Sequence, residues 1–329
     1  MLRDNIPKVG IVILNWNNFK ATNRCILSLK KIYYERYKIY LVDNGSKDNS
    51  GIKLKKKFKK IKNLVFVFNN ENLGFAAGCN RGVKKAFGDN CKYVLLLNND
   101  CIIYDNKFLN YAVELAEQTP KCGIVGGKIN FWPNTKQIWS TGGYIKFFGG
   151  EKHIGNREAD VGQYEKVEER EFISGALMLI KNDLFKKIGL LPEVYFFGKE
   201  EWEYSTRARK SGFKLFYCPN FKVYHEASNS HSWSDPTYIY NGTLSKILYK
   251  RRNHQKHIFD IWLGLYSSYL KVIFPIIYYL KRKQYQKGIE RDAIRFAMLK
   301  ALADSRKIFK ITNQMLSEYR RKYVLLDGK

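Results

Sequence analysis

Three groups of side chains in this sequence carry enough chemistry to start from. Asp100 closes the run Leu95-Leu96-Leu97-Asn98-Asn99-Asp100, where an apolar stretch gives way to polar residues and ends in a carboxylate. A buried parallel strand reads as continuous apolar sequence. Open α/β sheets bind ligands beyond the carboxyl ends of their strands. Asp100 therefore stands where a charge can hold a divalent cation, although many strands end in Asn or Asp simply as turn residues. Glu200, Glu201 and Glu203 form the second group. Clustered carboxylates repel, which lifts at least one pKa toward the range useful for proton transfer. The bland alternative is a solvated acidic helix start with Arg207 one turn later. His225 is the third, after the strand-like Lys222-Val223-Tyr224; a lone histidine is more often a hydrogen-bonded structural residue than a ligand.

Elements that must position these residues are readable upstream. Val9-Gly10-Ile11-Val12-Ile13-Leu14 runs into Asn15-Trp16-Asn17-Asn18, and Ile39-Tyr40-Leu41-Val42 runs into Asp43-Asn44-Gly45-Ser46. Strand and helix signals alternate from Val9 to about Leu97, as βαβ units in a parallel sheet require. The lysine-rich run from Lys53 to Lys62 looks like a nucleic-acid patch, yet Leu54, Phe58 and Ile61 share one helical face. Its lysines are then the solvated back of a crossover helix. Residues 120 to 172 are rich in Gly and aromatics, with Gly126-Gly127, Gly142-Gly143 and Gly149-Gly150 as breakers. Short strands and mobile loops are expected there. The sequence has no P-loop, no G-x-G-x-x-G and no evident repeat of 20 to 50 residues.

The chain has 329 residues, a hydrophobic content of 45% and an aromatic content of 15%, enough for a sizeable core in one large domain or two. A formal charge of +28 suits anionic lipid, polyanionic substrates or nucleic acid. No zinc-finger spacing, RNA-recognition signature or basic zipper supports the last, so no specific nucleic-acid partner is expected. Six cysteines (Cys25, Cys79, Cys91, Cys101, Cys122 and Cys218) form no C-x-x-C pair. They read as small core residues in a reducing compartment. No signal peptide precedes the Val9–Leu14 strand, so the catalytic half is expected to face the cytosol. Beyond about Ser232 the composition shifts. Ile258 to Leu280 is mostly apolar but holds Asp260, Lys271 and Pro275, and Lys281-Arg282-Lys283 follow. Charges and a proline make spanning expensive, so a helix lying in the membrane interface is preferred over a buried or a spanning one. The basic tail keeps helical periodicity at Ile294, Met298 and Leu302.

Together with Asp100, the two strand ends and Glu71-Asn72-Leu73-Gly74-Phe75-Ala76-Ala77-Gly78-Cys79-Asn80-Arg81-Gly82 resemble the nucleotide-sugar half of family 2 glycosyltransferases, nearest to the rhamnosyltransferase-like branch. The resemblance continues through Ser174-Gly175-Ala176, Ile188 to Phe197, Glu200-Glu201-Trp202-Glu203, Arg207, Gly212, Pro219, His225 and Arg252-Asn253, and covers roughly residues 8 to 256. It implies an α/β GT-A fold: a doubly wound, Rossmann-like mixed sheet with helices on both faces, plus a mainly helical C-terminal extension. Residues 1–232 would form the catalytic domain, about 1–100 the nucleotide-sugar half and about 101–232 the acceptor half. Residues 233–329 would be helical, basic and membrane-associating.

The resemblance also implies roles. Asp100 and His225 would hold Mn²⁺ or Mg²⁺; Asn98 stands where the family's Asp-x-Asp motif has its first acid, which removes one anionic oxygen. Neutral imidazole favours Mn²⁺. Asp43 would accept a nucleobase N–H from uracil or thymine, with Asn15, Asn17, Asn98 and Asn99 nearby. Gly74 and Gly78 would let backbone approach the ligand. Glu201 would be the general base of an inverting transfer, with Glu193, Glu200 and Arg207 as acceptor-side or structural support. The implied partners are a nucleotide-sugar donor (dTDP-rhamnose or a UDP-sugar) and a glycan or lipid-linked acceptor used in cell-surface polysaccharide or glycoconjugate synthesis. An anionic membrane surface would hold the enzyme peripherally on the inner face of the cell membrane. The Gln-x-x-Arg-Trp motif of processive synthases is missing, so addition of one sugar is expected. The rival readings are an inactive glycan- or nucleotide-binding relative and a basic nucleic-acid-binding protein.

Overall fold

In the computed structural model, which describes residues 6–147, 150–226, 235–274, 276 and 288–324, the apolar runs become strands buried on both faces. β1 (Val9–Asn15) and β4 (Tyr93–Leu97) show how. Val9, Ile11 and Ile13, with Tyr93, Leu95 and Leu97, face one core; Val12, Val94 and Leu96 face the other. This is the two-residue period of a strand, with both faces covered.

The helices that cover the sheet sit between the strands in sequence: α1 (Phe19–Leu29), β2 (Tyr37–Asn44), α2 (Ser50–Phe58), β3 (Leu64–Asn69) and α3 (Phe75–Gly88). After β4 follow β5 (Cys101–Ile103), α4 (Phe108–Gln118) and β6 (Cys122–Phe131). α1, α2 and α4 close the first core with Cys25, Leu54 and Phe108. α3 closes the second through Ala76, Cys79 and Val83. As expected, α2 buries Leu54 and Phe58 and leaves Lys53, Lys55, Lys56 and Lys57 in solvent.

The chain then adds β7 (Ile138–Ser140), β8 (Gly143–Ile145), β9 (Glu151–His153), β10 (Glu168–Glu169), β11 (Leu177–Lys181), α5 (Asn182–Ile188), α6 (Glu200–Lys210) and β12 (Lys214–His225). Strand order in the main sheet is β10-β12-β6-β11-β4-β1-β2-β3, with β5 paired to β12 and β7 to β6. β4, β1, β2 and β3 run parallel, while β11 is antiparallel to both β4 and β6. The result is a doubly wound mixed sheet with helices on both faces.

One expectation is corrected here. Gly126-Gly127 does not break structure but lies inside the ten-residue β6. A side chain on Gly127 would stand 1.6 Å from the Phe221 carbonyl oxygen, and one on Gly126 2.4 Å from Ile173. These glycines admit close neighbours inside the sheet. The short β8–β9 hairpin does fit the expectation of small strands.

C-terminal helices α7 (Pro236–Asn253), α8 (Lys256–Ser268) with a π-helical turn Tyr269–Ile273, α9 (Gly288–Asp304) and α10 (Asn313–Tyr323) complete the chain. α7 docks firmly on α6: Trp202 and Tyr249 rings meet at 5.5 Å, and Arg252 forks onto Glu203 at 2.8 and 2.9 Å. The expected boundary near Ser232 falls outside the described residues, as do residues 277–280 of the apolar stretch and Lys281-Arg282-Lys283. α8 buries Phe259, Trp262 and Tyr266, and Leu270 of the following turn, in one cluster with Met298 and Leu302 packed against it. No helix among the described residues is long and apolar enough to cross a membrane.

Candidate active site

The carboxyl ends of β1 and β2 carry a polar network with almost no loose ends. Asn15 is fully buried and donates from Nδ2 to Asp43 Oδ1 (2.7 Å), Ser50 Oγ (2.9 Å) and Ser46 Oγ (3.2 Å). Its carbonyl accepts from Thr22 Oγ1 at 2.7 Å, and that hydroxyl in turn accepts from Asn99 Nδ2 at 2.8 Å. Asp43 also accepts from the Ser46 hydroxyl (2.7 Å) and amide (3.1 Å). A carboxylate offers about four acceptor positions; three of these are filled, and about one is left for a ligand. Asn15 and Asn99 thus hold Asp43 and the Asp100 turn in register through Thr22. Asn17 is exposed, at φ 49°, and its side chain accepts from the Lys47 amide at 2.8 Å.

Gly74 and Gly78 have a packing reason that differs from the expected approach of a ligand. Gly74 has φ +85°, and a side chain there would meet the Phe196 carbonyl oxygen at 2.3 Å. Phe75 N donates to that same oxygen at 2.8 Å, tying the start of α3 to the segment that leads into α6. At Gly78 the close neighbours are Leu14 and Asn44. Asn44, missed in the sequence, pins this loop by donating to Asn72 Oδ1 (2.9 Å) and the Gly74 carbonyl (3.1 Å).

A different situation holds one strand further on. Antiparallel pairing of β5 with β12 sets Cys101 opposite His225, and Glu226 N donates to the Asp100 carbonyl at 3.0 Å. His225 Nε2 and Asp100 Oδ1 lie 3.0 Å apart. Even so, Asp100 Oδ1 and both imidazole nitrogens are buried without hydrogen-bond partners. Buried polar atoms are nearly always satisfied, so this convergence of a carboxylate and an imidazole fits a divalent cation. Cys101 Sγ also lies within 4.8 Å of these atoms. We exclude it as a ligand: the residue belongs to the core, its thiol donates to the Ala176 carbonyl at 3.5 Å, and burial pushes its pKa well up. Asn98 forms the turn through its backbone, donating to the Ala176 carbonyl at 3.0 Å and accepting from Cys101 N at 3.1 Å.

The segment Ser174-Gly175-Ala176 bridges the Asp100–His225 pair and the acids. Ala176 faces Asn98, while a side chain on Gly175 would sit 3.9 Å from Glu201 Cβ and 3.5 Å from Phe75. Three neighbouring glutamates have three different fates. Glu203 is 2% exposed and is held by Tyr195 Oη (2.7 Å) and Arg252, which removes it as a base. Glu200 is buried with Oε2 unpartnered; burial, then the charge of Glu201, raises its pKa to about 8. Glu201 is partly exposed, accepts from the Lys199 amide at 3.2 Å, and is raised by burial, with Lys199 opposing. Support residues resolve as well. Glu193 accepts from Asn80 Nδ2 at 2.8 Å, and Arg207 donates to the Leu190 carbonyl at 3.3 Å, away from the acids. Both serve as structural ties between elements.

A mixed sheet of this order, with polar groups gathered at its strand ends, defines a GT-A fold. The family model of Glycosyl transferase family 2 matches residues 10–189, more than half of the chain, and the protein belongs to that family. Its sequence is 27% identical over 190 residues to the glycosyltransferase GlyG of Streptococcus pneumoniae, covering 55% of this chain and 58% of GlyG. It is 29% identical over 124 residues to the poly-β-1,6-N-acetyl-D-glucosamine synthase of Staphylococcus aureus, covering 38% of this chain and 29% of the synthase. The chain therefore matches less than two thirds of either relative. In fold it is similar to a mannosyltransferase from Pyrobaculum calidifontis solved with GDP-Man and Mn²⁺, with TM-score 0.59 at 13% identity, covering 92% of this chain and 87% of that one.

Proposed function

We propose that this protein is an inverting glycosyltransferase that moves one sugar from a nucleotide donor to a glycan or lipid-linked acceptor. The observation that supports it most is Asp100 and His225, 3.0 Å apart at a strand end with Asp100 Oδ1 and both imidazole nitrogens free of hydrogen bonds, one short segment away from Glu201. Breaking the bond from the anomeric carbon to a diphosphate puts negative charge on the leaving group. A divalent cation held by Asp100 and His225 would neutralise that charge, and the mannosyltransferase with Mn²⁺ supports such a cofactor.

The remaining work belongs to the chain. Asp43, fixed by Asn15 and Ser46, keeps an acceptor position for a nucleobase N–H of a UDP- or dTDP-sugar. A rhamnosyltransferase-like donor choice is compatible with this and is part of the proposal. Glu201 takes the proton of the acceptor hydroxyl as it attacks the face opposite the leaving group. Buried Glu200 stays neutral beside it and so keeps a second negative charge out of the cleft.

A membrane surface is the proposed location. Ile261, Leu265, Tyr269, Val272 and Ile276 are exposed at helical spacing along α8 and beyond. An apolar stripe on a basic chain suits the interface of an anionic leaflet. Nucleotide release from a panel of UDP-, dTDP- and GDP-sugars with Mn²⁺ or Mg²⁺ tests the enzyme reading. We expect release from one donor class; no release from any would refute it.

A further inference from the structure

α6, α7 and α8 meet over lysines that the proposed reaction does not use. Lys246 and Lys250 lie one turn apart on α7 and so leave the same face of the helix. Lys250 is 2% exposed, with its Nζ 4.8 Å from the Phe147 ring centre and 5.8 Å from that of Trp262. Lys246 is half-buried, with its Nζ 5.1 Å from the Tyr266 ring centre. Lys199, two residues before Glu201, adds a third cation that repels Lys246. Glu151, 3.5 Å from Lys199 Nζ, is the carboxylate in this group.

Among the described residues, neither Lys246 nor Lys250 has an ion pair or a hydrogen bond through its ammonium. Charged side chains are rarely buried unless paired. Aromatic faces recover part of that cost, but Lys250 and Lys246 still repel each other. Burial, reinforced by these like charges, pulls both ammonium groups down to about 8. Beside them the buried indole Nε1 of Trp262 has no acceptor. The cluster has a surplus of donors and positive charge; Lys199 stands two residues before Glu201, and Lys246 and Lys250 lie over the Tyr266 and Trp262 rings of α8.

We infer that Lys199, Lys246 and Lys250 form an anion subsite for the phosphate or diphosphate of a lipid-linked acceptor, whose apolar chain follows the α8 stripe. The inference rests on the transferase reading and sharpens it to an acceptor class. A multiply charged anion matches a surplus of two cations, and a subsite here would leave the acceptor sugar facing Glu201.

The test is thermal melting of the full chain with inorganic pyrophosphate in EDTA, so that no cation at Asp100 contributes. At tenfold excess over its dissociation constant, pyrophosphate should raise the wild-type melting temperature by about 2–4 °C. Lys246→Met with Lys250→Met should lose that rise and, without anion, melt no lower than wild type, because one buried and one half-buried cation without an ion pair are gone. The single variant Lys246→Met should lose most of it, and Lys246→Arg should keep it. In transfer assays the double variant should raise KM at least tenfold for a diphosphate-linked acceptor and leave KM unchanged for the same sugar without phosphate. Three results would overturn the inference: a pyrophosphate rise retained in the double variant, an equal rise with sodium chloride at the same ionic strength, or loss of anionic-vesicle binding in the variant with no pyrophosphate effect in wild type. A wild type that binds pyrophosphate but transfers no sugar would refute the transferase reading and leave the anion site standing.

Discussion

The two ends of the cleft treat their polar groups in opposite ways. Around Asp43, Asn15, Thr22, Ser46 and Asn99 donate and accept within one connected network. Around Asp100, His225 and Glu200, buried oxygens and nitrogens make no hydrogen bond, although Asp100 and His225 approach each other to 3.0 Å. A satisfied network is rigid and presents one fixed acceptor. Unsatisfied groups cost stability and persist where a ligand or a reaction uses them. In the proposed function, the first end recognises and the second reacts.

That contrast can be broken most severely at the reactive end. Asp100→Ala should abolish transfer nearly completely in a steady-state assay, while the circular dichroism melt stays cooperative. A variant that retains substantial turnover would place the cation elsewhere. Glu201→Gln should lower kcat by about 10²–10⁴-fold with donor affinity little changed. If Glu200→Gln is the more damaging of the two, the base has been assigned to the wrong glutamate.

At the recognising end the loss should be in binding and stability. Asp43→Ala removes the acceptor shared by Asn15 and by the Ser46 hydroxyl and amide, costing about 1–3 kcal/mol in denaturant titration. It should raise the donor KM by more than it lowers kcat. An unchanged donor KM would remove Asp43 from the site. The smallest effect is expected at Glu200, and it concerns pH. Its folded-state pKa is raised by burial to about 8 from the ordinary 4.5, so the folded state holds more protons than the unfolded state between those values. Stability from this group is complete below the lower value and is lost as pH rises through the upper one. Glu200→Gln should flatten that fall in melting temperature between pH 5 and 8, and should lower transfer less than Glu201→Gln does.

Much of this site was legible because its signals are local. Asp43 and Asp100 end apolar runs, and that pattern alone places them at strand ends. The same logic fails for Gly126-Gly127. A glycine pair reads as a turn in one dimension, and only the close approach of Phe221 and Ile173 explains it. Glu203 was inseparable from Glu200 and Glu201 by spacing, since its fate depends on Tyr195 and on Arg252, 49 positions away. Asn99 was expected near the ligand for its place in the turn, but its amide is committed to Thr22. The unpaired state of Lys246 and Lys250 likewise depends on what α6 and α8 bring against them. Long-range partners, not residue types, decided these cases.

Direct measurement of cation binding tests the central contrast. Mn²⁺ titrated into the protein and followed by electron paramagnetic resonance should show a bound ion at stoichiometry near one. Asp100→Ala and His225→Ala should each weaken it at least tenfold, while Asp43→Ala leaves it intact. Undiminished Mn²⁺ binding in both Asp100→Ala and His225→Ala, or undiminished transfer by wild type in EDTA, would contradict the account.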